Sequence, residues 1–129
     1  MKADKKYRYF DISEFDSPDE VGSAEKNMSH TFLIKLDEAR HAAGIPFKIT
    51  SGFRTQAYHD DLTKRGYKTS KTSAHLKGLA ADISVKDSRS RWVVINSLML
   101  AGFTRIGIAD TFIHVDLSKV KTQKCVWTY

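Results

Sequence analysis

Asp82 lies inside an apolar run, Leu79-Ala80-Ala81-Asp82-Ile83, and His114 lies inside another, Phe112-Ile113-His114-Val115-Asp116. An unpaired buried carboxylate is strongly disfavoured, so Asp82 requires a cation or a metal. His75 precedes it by seven residues in Ser73-Ala74-His75-Leu76-Lys77-Gly78-Leu79-Ala80-Ala81-Asp82. Two imidazoles and one carboxylate, with water in the fourth place, make the donor set of a tetrahedral catalytic zinc site. Neighbouring antiparallel strands would set Asp82 beside His114, and the loop ahead of the first strand would deliver His75. A core Asp–His ion pair without metal is the plain alternative these residues leave open. Gly78 lets the chain turn close to such a site. Ala80 and Ala81 are small enough for a second backbone or a ligand to approach. His114-Val115-Asp116 also fits the H-x-D half of an iron-binding facial triad. That triad needs a distal His downstream, and none follows position 116.

The surrounding elements follow from periodicity and breakers. Residues 1–27 show no sustained period and read as an irregular segment draped over the domain through Phe10 and Phe15. Phe32, Leu33, Leu36, Ala39 and Ala43 predict a helix over 28–43, with Ser29 as N-cap and Gly44 and Pro46 ending it. Pro46 to Ser51 reads as a short strand, and a second helix follows over 55–65. Residues 66–78 are rich in Gly, Ser, Thr and Lys and read as an exposed loop. Leu79 to Val85 reads as a strand. Asp87-Ser88 caps a helix over 89–101 whose apolar stripe is Trp92, Val93, Ile95, Leu98 and Met99. Phe103 to Ile108 and Phe112 to Leu117 form a hairpin, and Val126-Trp127 adds an edge strand. The expected fold is α+β, a small antiparallel sheet with helices packed on one side.

The chain has 129 residues, enough for one domain, 1–129, with a core over 28–117 and a tail over 118–129. It has one cysteine, Cys125, so no intrachain disulfide is expected and core or metal must hold the fold. No apolar run is long enough to cross a membrane, so no stable membrane insertion is expected. The basic start MKADKKYRYF has no apolar stretch after it, so no secretory signal is expected. The net charge of +6 admits nucleic acid, an anionic membrane surface or an anionic polymer such as cell wall. No basic helix or basic strand with interleaved aromatics is present, so nucleic acid is not an expected partner. His30, His41 and His59 read as solvent-exposed, and Trp127 and Tyr129 as packing on the sheet.

The segment from Ser73 to Asp82 resembles the S-x-H-x-x-G-x-A-x-D signature of the zinc D-Ala-D-Ala carboxypeptidases and phage L-alanyl-D-glutamate endopeptidases. These belong to a wider group that includes lysostaphin-type peptidases and the hedgehog domain. Ser51-Gly52-Phe53-Arg54-Thr55 is similar to the family's S-G-x-R-T segment. Phe103 to Ile108 and Phe112 to Asp116 are similar to its G-F-x-R-I-G-I and F-x-H-V-D blocks. The likeness runs from Met28 to about Leu117. It implies a hedgehog/DD-peptidase-like fold, with His75, Asp82 and His114 as ligands of one zinc per chain. It also implies Arg54 as the group that holds a substrate carbonyl or carboxylate. Ser73 would bind substrate or orient its loop.

Many members of this family carry Glu or Asp three positions before the last ligand, and here that position is Thr111. Asp116 shares a strand face with His114, about 7 Å along the strand, and is the preferred base or partner of that ligand. Asp110, in the turn, is the second choice. Orienting a ligand histidine is the alternative role for Asp116. The resemblance implies a peptidoglycan hydrolase acting on stem peptides, as DD-carboxypeptidase or L-Ala-D-Glu endopeptidase. A small basic chain without a signal looks like a phage or prophage lysis enzyme, cytoplasmic before release. The alternative is a catalytically inactive, zinc-stabilised cell-wall-binding or phage structural module.

Overall fold

The computed structural model describes residues 6–129. Two helices build the wall of the core. Helix α2 (His30–Ala43) starts where Ser29 Oγ accepts a hydrogen bond from the Phe32 N–H and ends at Gly44 in the left-handed conformation. It buries Phe32, Leu33, Leu36 and Ala39, the expected face. Helix α4 (Ser88–Leu100) starts where the Asp87 carboxylate accepts from the Ser90 N–H. Here the expected stripe is corrected: α4 buries Val94, Ser97 and Leu98 and leaves Trp92 and Met99 exposed. Trp92 lies about 200° round the helix from Val94, so the two cannot share a buried face. The core takes the side with the small Ser97, where α2 packs against α4.

The strands are β1 (Ile49–Ser51), β2 (Ala80–Ser84), β3 (Arg105–Ile108), β4 (Phe112–Asp116) and β5 (Cys125–Thr128). They form one sheet in the order β1-β2-β4-β3-β5. The first four pair antiparallel, as expected. The fifth pairs parallel with β3, so the sheet is mixed rather than antiparallel. The connection explains this. β4 is already flanked by β2 and β3, so the tail must move to the open edge of β3. The chain leaves β4 at the end where β3 begins, steps across, and runs beside β3 with Cys125 opposite Arg105.

Alternation divides the sheet into two faces. Ala81, Ile83, Ile106, Ile113 and Val115 join the α2–α4 core. The intervening residues, Asp82, Arg105, His114 and Asp116, line a cleft on the opposite face. Each fully buried Leu, Ile, Val or Phe contributes about 1.5–3 kcal/mol to the apolar side.

Residues 6–27 are more regular than expected. They hold a 3-10 turn over Ile12–Phe15 and a short helix α1 (Ser23–Asn27). Asp16 caps α1, its carboxylate accepting from the Gly22 and Ala24 N–H groups. Phe10 and Phe15 are buried, as anticipated. Such short turns carry too few residues for a period to show. The loop over 66–78 is not wholly exposed either. Ser73, Ala74 and His75 are buried, and Ala74–Lys77 form a 3-10 turn. That turn closes at Gly78, φ 68°, where an added Cβ would run into the carbonyl of Asn27.

Candidate metal centre

Each donor is set by a different local device. The β2–β4 register places Asp82 directly opposite His114. The 3-10 turn before β2 presents His75, with Ser73 Oγ accepting from the His75 N–H. One ligand atom from each of His75, Asp82 and His114 can be chosen so that all lie within 4.8 Å of one another. All three side chains are buried.

The outer nitrogens fix the tautomers. His75 Nδ1 lies 2.7 Å from the Gly52 carbonyl oxygen, which can only accept, so Nδ1 carries the proton. His114 Nε2 lies 2.7 Å from Asp116 Oδ2 and donates to it. The inner nitrogens then face Asp82 Oδ1, His75 Nε2 at 3.3 Å and His114 Nδ1 at 2.9 Å. In neutral rings these are two lone pairs aimed at a carboxylate. Three acceptors meeting at one point need a cation among them, and this donor set fits zinc.

Protonation follows from the surroundings. Burial pushes the His75 imidazole below its ordinary pKa, which keeps it neutral and ligand-ready. Burial also opposes charge on His114, but its hydrogen bonds to Asp116 and Asp82 prevail and raise its pKa. Burial alone would raise the Asp82 carboxyl, yet the hydrogen bond from His114 holds it well below the usual range. Asp116 is likewise lowered, with His114 and Arg105 overcoming its burial.

Asp116 has no idle oxygen. Oδ2 faces His114, while Oδ1 accepts from Arg105 Nε at 2.7 Å and from the Ser118 N–H at 3.0 Å. Arg105 in turn donates to the Thr122 carbonyl at 2.6 Å and lies 4.8 Å from the centre of a Trp127 ring. Asp110 is exposed in the β3–β4 turn and is not among the residues lining the cleft. Thr111 is exposed in the same turn.

Arg54 sits at the other side of Asp82. Its Nη2 is 3.9 Å from Asp82 Oδ2, its Nε donates to Ser51 Oγ at 3.3 Å, and its backbone N–H donates to the His75 carbonyl. The cleft these residues share is about 410 Å³, with Ser73, Lys68, Lys121, Trp127 and Tyr129 also on its walls.

Residues 8–116 match the family model described as peptidase M15. The chain belongs to the peptidase M15 family. No curated protein matches it significantly. The matched segment of this M15 chain contains Arg54, His75, Asp82, His114 and Asp116, whereas β5 lies beyond it.

Arg105, Trp127 and Tyr129 line the M15 cleft, and His59 lies buried behind Arg54, without having been expected there from sequence. Arg105 was legible in principle, since an arginine in the apolar run Arg105-Ile106-Gly107-Ile108 demands a partner just as Asp82 does. His59 is buried rather than exposed, a correction of its expected place. Helix α3 (Gln56–Lys64) is otherwise polar, so no apolar stripe marks the face that turns inward. Trp127 and Tyr129 lie on the sheet but also wall the cleft. Gly107 makes room for the indole, because a Cβ there would meet Trp127 Nε1 at 2.6 Å. His30 and His41 are exposed, as expected.

Proposed function

We propose that this M15 chain is a zinc-dependent peptidase acting on the stem peptides of peptidoglycan. His75 through Nε2, Asp82 through Oδ1 and His114 through Nδ1 hold one zinc ion. The observation that carries the reading is the convergence of these three buried acceptors, each imidazole having its other nitrogen committed elsewhere. Zinc held there would supply a Lewis acid that polarises a peptide carbonyl and acidifies water toward neutrality. Arg54 directs its guanidinium into the same cleft and donates to the substrate oxygen on which negative charge develops. Ser73 fixes the His75 turn. Asp116 keeps the proton on His114 Nε2, and Arg105 keeps Asp116 in place, so Asp116 acts through His114. The sheet is read as the hedgehog/DD-peptidase-like one. A phage or prophage lysis role, with the protein held in the cytoplasm until release, belongs to the same proposal, and the charge of +6 suits an anionic wall.

One observation favours a second reading, a zinc-stabilised wall-binding module without turnover. The cleft-lining carboxylates are Asp82, one of the metal donors, and Asp116, whose two oxygens are both hydrogen-bonded, so neither is free to act as a base. Digestion of purified peptidoglycan followed by mass spectrometry decides between them. Loss of a terminal D-Ala marks a carboxypeptidase, and cleavage between L-Ala and D-Glu an endopeptidase. Either product must disappear in His75→Ala. No product from zinc-loaded protein that still binds peptidoglycan supports the module and refutes the peptidase.

A further inference from the structure

His59 is the buried residue of a helix that otherwise faces solvent, with 3% of its surface exposed. Both of its ring nitrogens are engaged. Nε2 lies 2.9 Å from the Ser70 carbonyl oxygen, an acceptor only, so Nε2 carries the proton. In that tautomer Nδ1 is an acceptor, and Arg54 Nη1 lies 3.5 Å from it. Ser70 belongs to the segment that forms the outer wall of the cleft, together with Lys68, Thr69 and Ser73. One imidazole therefore joins α3, the cleft wall and the guanidinium beside Asp82.

We propose that His59 is a positioning residue that holds Arg54 and the 68–73 wall in one geometry. The guanidinium is held from three sides: Ser51 on Nε, His59 on Nη1 and Asp82 near Nη2. Asp82 is the only charged partner of the three, and it is 3.9 Å away. Without His59, Coulomb attraction draws Nη2 onto Asp82, the carboxylate the metal needs, and takes the guanidinium away from the substrate. With His59 in place, Arg54 stays beside Asp82 and remains directed into the cleft. The wall is held by the same ring, because the Ser70 carbonyl accepts both from His59 and from the Ser73 N–H that leads to His75. The Arg54 half of this inference rests on the peptidase reading; the wall half does not.

The two bonds separate with two conservative variants. In His59→Gln the amide N–H reaches about as far as Nε2, so the Ser70 bond survives and the Arg54 bond is lost. In His59→Asn the amide oxygen sits near the place of Nδ1, so the Arg54 bond survives and the Ser70 bond is lost. Trypsin cleavage after Lys68 and Lys71 reads the wall without any need for turnover. We expect His59→Asn and His59→Leu to be cut about tenfold faster than wild type, and His59→Gln at the wild-type rate. Hydrogen exchange of the Arg54 guanidinium, read by NMR, should rise in His59→Gln and His59→Leu and not in His59→Asn. If stem peptides are cleaved, kcat falls about tenfold in the same two variants with KM little changed, because the guanidinium no longer meets the developing charge. Zinc affinity falls in His59→Gln and His59→Leu, where Arg54 moves onto Asp82, and stays within about twofold of wild type in His59→Asn. If wild type cleaves nothing, the peptidase reading fails while the trypsin and exchange measurements still decide the brace. If His59→Leu does not fold, the opposed behaviour of the Gln and Asn variants carries the test. Cleavage and exchange that do not distinguish those two variants overturn the proposal.

Discussion

Asp116→Asn changes one atom type at a position only 2% exposed, where every neighbouring polar group is already committed to the carboxylate. All three groups around it are donors: Arg105 Nε at 2.7 Å, His114 Nε2 at 2.7 Å and the Ser118 N–H at 3.0 Å. Asparagine offers one acceptor oxygen and one amide that can only donate. Whichever way it is turned, its NH₂ faces a donor. If the oxygen keeps Arg105 and Ser118, His114 loses its acceptor and the tautomer that leaves Nδ1 free is no longer enforced. Breaking a buried ion pair from one side costs about 3–5 kcal/mol. Arg105 retains the Thr122 carbonyl and the Trp127 ring, so the lower end, about 3 kcal/mol, is expected. Loss of a group that orients a metal ligand typically lowers metal affinity about 10–100-fold. The assay is a zinc titration against a competing chelator, run beside urea unfolding and peptidoglycan digestion. If Asp116 acts through His114, affinity falls in that range and saturating zinc restores hydrolysis. A general base would give the opposite pattern, unchanged zinc affinity with a rate about 10²–10⁴-fold lower at any zinc concentration. Wild-type affinity with wild-type hydrolysis would refute both the magnitude and the role.

Zinc affinity should rise with pH through the raised pKa of His114, above 6.5, with release of the proton that Nδ1 otherwise holds; calorimetry in two buffers counts it. The metal-free protein should be most stable near pH 6.5. A raised His114 contributes stability that is present below its unfolded value of 6.5 and lost as pH rises through its folded pKa. A lowered His75 works the other way, because below 6.5 the unfolded chain takes up a proton that the folded one resists. Asp82 and Asp116, both lowered, contribute stability present above 3.8 and lost as pH falls through their folded values. Urea unfolding with chelator at about pH 5, 6.5 and 8 checks the maximum, and a monotonic profile contradicts it. Removing zinc with chelator should lower stability by about 2.7 kcal/mol relative to zinc at a hundred times its Kd, leaving one cooperative transition. Gly78→Ala should cost about 1–2 kcal/mol for its positive φ, with a further penalty against Asn27, and weaken zinc binding by shifting the His75 turn; thermal melts and zinc titration measure both.

Where a residue's own neighbours impose a demand, the sequence was readable. Asp82 and His114, charged or polar within apolar strands, announced that they needed partners, and the register supplies each to the other. Helix α2 was readable because its cap, stripe and terminal glycine all agree. The misread elements answer to the tertiary structure. Helix α4 has apolar residues on more than one face, so its inward side depends on where α2 lies. The direction of β5 depends on which sheet edge is open, and that is settled only after β2, β3 and β4 have paired. His59 carries no local signal, because its partners, Arg54 and Ser70, come from the loops on either side of α3. Asp116 faces the same side as His114, as alternation along the strand predicts, whereas its engagement by Arg105 depends on β3 pairing beside β4.

The concentration of buried charge on one sheet face follows from how that charge is shared. Asp82 meets His75, His114 and Arg54, and Asp116 meets His114, Arg105 and a backbone N–H. His114 lies between the two carboxylates, bonded to both, and is therefore held toward its protonated form. In the metal-free protein the proton on Nδ1 occupies the space between His114 and Asp82, the space a divalent cation would take. Exchanging one for the other demands no change in the backbone. The strands bearing Asp82 and His114 are paired along their length, and His75 is tied at Nδ1 and at the start of its turn. The opposite face of the same strands carries Ile83, Ile113 and Val115 into a core completed by Phe32, Leu33 and Leu36. A small zinc domain that is unfolded without its metal has no such second face. Here apolar burial holds the sheet, and the sheet holds the donors apart from any ion, so metal loss weakens the fold without dissolving it.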